Sequence, residues 1–451
     1  MQSEPYLQGN DHNLKETWKL EQKHLYVLFC LTFITFITVD QLKIIAIPQF
    51  YFLAISILFF WRCDSNYYTP ALCFIIPLSI WVSLYYIFGL AAGIYIARFY
   101  KRIRIPIELF LMYVVIAIDL LSFIYGDFST YQWVRMSVYY IALTFFIFCS
   151  LENGNAKKVL LSFTAGYLTV CILSLIMVIP VVGMADLVSS NYRFGSASLR
   201  DFLDPLGIVI SFENDLGIAS AIVFSMMIVL MRSCTKGKLI YFMVSIFAIF
   251  MAMLAKSNTG FVLIICAVLC YLWSIRQGVK QFVSYMLLFV FLVGVIYWFV
   301  STNYPQLLDS ILSRILVNDI SNGRTEILKL YFQRMLDNPK FLLFGTGSQN
   351  YADKLQIVDS CHNALEQVFV MWGASGLVLV VALVVSAWKF MCKGLANRSL
   401  LFLSSIPFIL FVLGAQAGQF DGFFPLLLPS LYALRLGEEA DNPLDDTLDN
   451  T

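Results

Sequence analysis

Charge is what this sequence has least of. Of 451 residues, 13% are charged and 60% are hydrophobic, with a mean hydropathy of +0.78, against roughly 25% charged and roughly 45–50% apolar in a soluble domain. A soluble globular protein is excluded. The formal net charge of +1 gives no excess of either sign, so nucleic acid is not expected as a partner and only the placement of charges informs. The ten cysteines form no Cys-x-x-Cys pair and mostly lie inside apolar runs (Cys30, Cys73, Cys149, Cys171, Cys266, Cys270), so neither a metal site nor a disulfide framework is indicated. A Gly-rich phosphate loop, a zinc-type His/Glu cluster and an Asp-x-Asp carboxylate pair are all missing. A nucleotide donor is therefore not expected, nor any cofactor or metal. No internal repeat is visible, and no small-residue cleavage site follows the first apolar stretch.

What is there is a series of apolar runs, most of them long enough to cross a hydrocarbon core of about 30 Å. They fall near 24–39, 43–61, 71–97, 107–125, 133–151, 159–182, 215–231, 239–256, 260–275, 282–300, 364–388, 399–415 and 422–435. The fold class is all-α, a polytopic integral membrane protein of about 12–14 transmembrane helices. Lys and Arg gather at Arg98/Lys101/Arg102/Arg104, Lys157/Lys158, Arg232/Lys236/Lys238, Arg276/Lys280 and Lys389/Lys393/Arg398. These are alternate connections, which makes them cytoplasmic. The first 100 residues hold an odd number of runs, so either 24–61 is partly re-entrant or 71–97 is divided. Residues 1–23 read as a cytoplasmic tail, 24–300 as membrane helices, 364–435 as the C-terminal membrane helices and 436–451 as an acidic, solvated tail. Alternation puts 183–214 and 301–363 on the outer side, and loops that long usually carry function. Within the larger, 307–317 and 324–336 space apolar residues as amphipathic helices, the second ending at Asp337-Asn338-Pro339.

His362, one of three histidines, stands where the large loop re-enters the membrane, in Asp359-Ser360-Cys361-His362-Asn363-Ala364-Leu365-Glu366. With Ser360 as N-cap, His362 falls in the first helical turn and Glu366 one turn on, on the same face. A neutral imidazole there can accept a hydroxyl proton and a carboxylate can orient it. The same residue could instead mark the interface or satisfy a backbone carbonyl. Cys361 points away from it and makes no dyad. Gly373 and Gly376 allow a helix or a ligand to approach closely, which packing alone also explains. Arg193 and Arg200 in the shorter loop, with Arg314, Arg324 and Arg334 in the longer, lie on the side normally poor in basic residues. A guanidinium fork suits a diphosphate held without a metal. Arg193 and Arg324 are the best candidates, and Arg314 and Arg334 read as solvated helix-face charges. Glu213-Asn214-Asp215 interrupts an apolar run and is either functional or wetted by the loop. Asp119, deeper in its span, would be the starting point for a lipid-linked sugar flippase or transporter, a reading disfavoured by the lack of repeats.

These residues resemble the O-antigen polymerase and O-antigen ligase superfamily of bacterial envelope glycan assembly. His362-Asn363, nine residues, then Gly373-x-x-Gly376 reproduces its ligase-type signature, and Arg324-Thr-Glu-Ile-Leu328 its Arg-x-x-x-Leu element. Asn338-Pro339 with Phe344-Gly345-Thr346-Gly347 is similar to its Pro…Gly-x-Gly stretch, and Arg193-Phe-Gly195 with Asn214 to its preceding outer loop. The likeness covers roughly residues 190–376. Lys256-Ser257-Asn258-Thr259-Gly260 stands where many relatives carry Ser-Arg and a small residue. The resemblance implies a metal-independent glycosyltransferase of the bacterial inner membrane, acting at its periplasmic face on an undecaprenyl-diphosphate-linked glycan. A polymerase passes the chain to a lipid-linked repeat unit, and a ligase passes it to lipid A core. Further implied partners are a flippase and a chain-length regulator. In this scheme His362 is the base with Glu366 beside it, Arg324 is catalytic, and Arg193, Arg200, Asn214 and Asn363 bind substrate.

Overall fold

The computed structural model describes residues 8–103, 105–121, 124, 128–148, 156–189, 192–234, 236–305, 308–309, 312, 324–358, 361–393 and 398–441. Among these the regular structure is entirely helical, as the apolar runs require, because a lipid-embedded backbone must satisfy its own polar groups. The first part comprises α1 Gln8–Gln41, α2 Gln49–Arg62, α3 Tyr68–Ile75, α4 Leu84–Phe99, α5 Ile107–Leu121, α6 Thr130–Phe148 and α7 Ala156–Val182. The apolar run 71–97 is divided. After α3 the chain tightens into a 3-10 turn, Ile76–Ile80, with Pro77 in its first positions, before α4 begins behind Ser83. Proline has no N–H to continue the ladder. Gln49 donates to the Trp81 carbonyl at 2.9 Å, and Trp81 Nε1 donates to the Val209 carbonyl at 3.1 Å.

The shorter outer segment forms α8 Met184–Ser189 and α9 Ala197–Leu203, and four helices follow: α10 Glu213–Ser233, α11 Lys238–Ala255, α12 Asn258–Ile275 and α13 Val279–Asn303. From Leu216 to Leu230, α10 is buried on almost every side, the mark of a helix at the centre of a bundle. The large loop contributes α14 Arg324–Leu336, α15 Pro339–Phe344 and α16 Tyr351–Lys354. α14 is the second amphipathic helix that the sequence predicts. The first, at 307–317, falls outside the described residues except for positions 308, 309 and 312, as does Arg314, whereas Arg334 is exposed on α14. The loop builds a core of its own, with Tyr331 and Met335 of α14 packed with Leu355, Ile357, Cys361 and Val370.

The chain ends in α17 Ala364–Met391, α18 Arg398–Gly414, α19 Phe420–Phe423 and α20 Leu427–Asp441. α20 continues past 435, the expected end of the last span, and residues 442–451 lie outside the described part. Seven described helices are long and apolar enough to cross a membrane: Glu21–Gln41 within α1, then α7, α10, α11, α12, α13 and α17. Shorter apolar helices are α2, α4 and Leu401–Gly414 within α18.

Candidate active site

Two glycines set the site. Gly217 of α10 and Gly260 of α12 face each other so closely that a Cβ on Gly260 would lie 2.9 Å from the Gly217 Cα, and the two backbones touch as small residues allow. This crossing presses the start of α10 against the turn between α11 and α12. Ser257, the N-cap of α12, accepts from Gly260 N at 3.2 Å and donates to Asn214 Oδ1 at 3.3 Å. Arg193 closes the corner. Its Nη1 donates to Glu213 Oε1 at 3.0 Å, and Nε and Nη2 donate to the carbonyls of Ala255 and Lys256, each at 3.3 Å. The terminal carbonyls of α11 have no helical partner, and the guanidinium supplies one. In this structure the Arg193 guanidinium nitrogens bond protein groups, and the side chain positions the corner.

Around the same helix start stand three more cations. Lys256 caps α11 in the left-handed region at φ +46°, is only 2% exposed, and donates from Nζ to the Tyr192 carbonyl at 3.3 Å. Glycine is usual at such a cap. Arg200 lays its guanidinium 3.8 Å from the Phe212 ring centre, leaves Nε buried without a partner, and acts electrostatically on Asp215. Arg324, at the start of α14, feels Glu213: burial lowers its pKa from the usual guanidinium range and the Glu213 charge opposes that shift. Four cations against two carboxylates surround a helix N-terminus that has no side-chain cap. Such a corner favours an anion.

α14 links this corner to His362. Tyr331 lies seven residues beyond Arg324 on the same helix, about 10 Å along the axis, and hydrogen-bonds the Cys361 side chain. Burial, then the nearby Glu366 charge, pushes the Cys361 thiol far above its usual pKa, so it stays protonated and is no nucleophile. The helix start differs from the sequence reading. Asn363, not Ser360, is the N-cap of α17, its Oδ1 accepting from Leu365 N at 2.9 Å and Glu366 N at 3.1 Å. Ser360 lies outside the described residues. His362 therefore precedes the helix, and the one-turn spacing no longer puts it on a shared face with Glu366. Glu366 keeps Oε1 buried without a partner, close enough to Cys361, Tyr331 and Tyr351 to act on each. Asn363 has its oxygen committed to the cap, leaving its amide nitrogen for any substrate contact.

Below this turn α17 breaks. Gly373 has φ +65° and ψ −169°, and Gly345 has φ +76° and ψ −176°, a region essentially reserved for glycine. The carbonyls released by the break are claimed by the loop: Thr346 N donates to Val370 O at 2.9 Å and Gly347 N to Met371 O at 2.8 Å. Interrupted backbone at membrane depth survives only when protein satisfies it in this way. Asp119 belongs to the same joint. Its Oδ1 accepts from Ser348 N at 2.7 Å and Trp372 Nε1 at 2.9 Å, and its Oδ2 from Ser348 Oγ at 2.9 Å. The residue from which a transporter reading would start is a structural tie. Asp119→Ala should lower the melting temperature in detergent, because the buried Trp372 donor loses its acceptor at about 1–3 kcal/mol and two partly buried Ser348 donors lose theirs as well; an unchanged melting curve would refute the tie.

Residues 243–381 match the family model described as O-antigen ligase. Over that stretch the chain is similar to the O-antigen ligase family. A search of the curated proteins finds no match. The matched stretch runs from α11 into α17 and includes Lys256, Arg324, the Gly345–Gly347 turn, His362 and Gly373, while Arg193, Arg200 and Glu213 lie before it. This family implies a membrane glycosyltransferase-like enzyme of the O-antigen ligase or polymerase type.

Two residues of the site escaped the sequence reading. Lys256 was visible only as a departure from the family pattern. Tyr351 gave no signal, since it looks like ordinary loop.

Proposed function

We propose that the protein is a metal-independent polymerase of O-antigen or a related surface polysaccharide, acting at the periplasmic face of the bacterial inner membrane. Its donor is an undecaprenyl-diphosphate-linked glycan and its acceptor the sugar hydroxyl of a lipid-linked repeat unit. One observation carries the reading: Arg324, within electrostatic reach of Glu213 at the start of α10, begins α14, and the same helix packs Tyr331 and Met335 against Cys361 beside His362. Arg324, with Lys256 and Arg200, takes the charge that develops on the diphosphate as the bond from the anomeric carbon to its oxygen breaks. Arg193 and Asn214 hold that corner in shape. His362 removes the proton of the acceptor hydroxyl as its oxygen bonds to the anomeric carbon, with the Glu366 carboxylate nearby. Undecaprenyl diphosphate leaves without an acid, because it is already a stable anion.

The description of the matched family favours a second reading, a ligase that passes the polymer to lipid A core. A lipopolysaccharide gel of a strain deleted for the gene separates the two. Core bearing a single repeat unit means polymerase, bare core with polymer left on the lipid carrier means ligase, and a wild-type ladder refutes both.

A further inference from the structure

A second polar cluster is built from other elements than those that carry the cations. Tyr85 and Tyr86 at the start of α4, Tyr131 and Arg135 at the start of α6, and Asp421 in α19 converge in it. Arg135 sits with its guanidinium 4.4 Å from the Tyr85 ring centre. Its Nε is buried without a hydrogen-bond partner, as is the Nε1 of Trp133 nearby in α6. Asp421 accepts from Tyr140 and acts electrostatically on Tyr85, Arg135 and Tyr351, yet no ion pair joins it to Arg135 among the described residues. Tyr86 and Tyr131 are hydrogen-bonded to each other and remain exposed, Tyr131 by 62%.

An interfacial aromatic belt explains exposed tyrosines. It does not explain a half-buried arginine and a half-buried carboxylate that act on each other electrostatically without forming an ion pair among the described residues, nor two buried donor atoms without acceptors. The cluster offers unsatisfied N–H groups, a carboxylate and ring faces together. A phosphate would be repelled by Asp421. A sugar ring fits, because its hydroxyls both donate and accept while its C–H face packs on tyrosine. The cluster is also stitched to the reacting end: Ala364 N donates to Ala415 O at 2.7 Å, and Phe420 N to Gln367 Oε1 at 2.6 Å. Tyr351 lies within electrostatic reach of both Glu366 and Asp421.

We propose that Tyr85, Tyr131, Arg135 and Asp421 form the subsite that binds the acceptor sugar, with Arg135 and Asp421 hydrogen-bonding its hydroxyls and the tyrosines walling its ring. The proposal rests on the glycosyltransferase reading above and adds the residues that receive the acceptor. The test uses the full chain in lipid nanodiscs and two probes: undecaprenyl diphosphate without sugar, and the oligosaccharide released by mild acid from glycolipid of the deletion strain. Wild type should bind the oligosaccharide saturably. Arg135→Lys, Asp421→Asn and Tyr131→Ala should each weaken it at least tenfold and leave undecaprenyl diphosphate binding unchanged. Tyr131 is exposed, so its replacement leaves the fold standing; undiminished oligosaccharide binding by that variant and Arg135→Lys would overturn the subsite. Failure of the donor reading looks different: undecaprenyl diphosphate would bind wild type and Arg324→Ala alike, while the oligosaccharide result still decides the subsite.

Discussion

Cells whose only copy carries His362→Ala or Arg324→Ala should make no transferred glycan while inserting the protein in normal amounts. A positioned base contributes about 10²–10⁴ in rate, and a group stabilising developing charge about 10²–10³. Either loss empties the polymer ladder. Folding should survive because the start of α17 is capped by Asn363 rather than by His362, and Arg324 begins a helix held by Tyr331 and Met335. Arg324→Lys should also fail in large part, since an ammonium cannot span two phosphate oxygens as a fork does. Lipopolysaccharide gels beside membrane immunoblots provide the check. A normal ladder from both alanine variants at matched expression would remove these residues from the chemistry.

Gly345→Val and Gly373→Val should have the opposite signature, with little or no folded protein to assay. Both positions occupy the glycine-only region, where another residue costs about 1–3 kcal/mol before any clash. The clash is with backbone, which cannot move aside: a Cβ on Gly345 overlaps the Met371 carbonyl and the Trp372 amide, and one on Gly373 overlaps Leu343 and Phe344. Relieving either would pull Thr346 and Gly347 from the carbonyls of Val370 and Met371, leaving them unpaired at membrane depth. Against a typical margin of about 5–15 kcal/mol the joint would not survive. Size exclusion in detergent should show loss of the monodisperse peak for both variants and none for Gly294→Ala, whose added methyl meets open space. A normal peak from Gly373→Val would refute this account of the break. The glycine signature thus reflects how the loop docks on a broken helix, rather than helix-to-helix packing.

Much of the helix order is legible from hydropathy, because an apolar run of sufficient length has no other solution in lipid. The divided run at 71–97 shows the limit of that logic. Pro77 was in plain view, but the break is held by Gln49 and by Val209, residues far away in sequence.

By itself the sequence determined the all-helical membrane architecture, the amphipathic α14, the candidacy of His362 and Arg324, and the glycines at 345 and 373. All but Gly345 follow from residue type and local spacing; Gly345 was marked only by the family resemblance. Only the tertiary structure decided that Arg193 turns inward to Glu213 and the end of α11, that Asn363 rather than Ser360 starts α17, that Asp119 ties loop to helix, and that Lys256 stands among the cations. Partners such as Asp119 and Trp372 are 253 positions apart. Hydropathy and helical period describe a residue's own segment, whereas the partner of a buried charge is fixed by which helices cross, and at what depth.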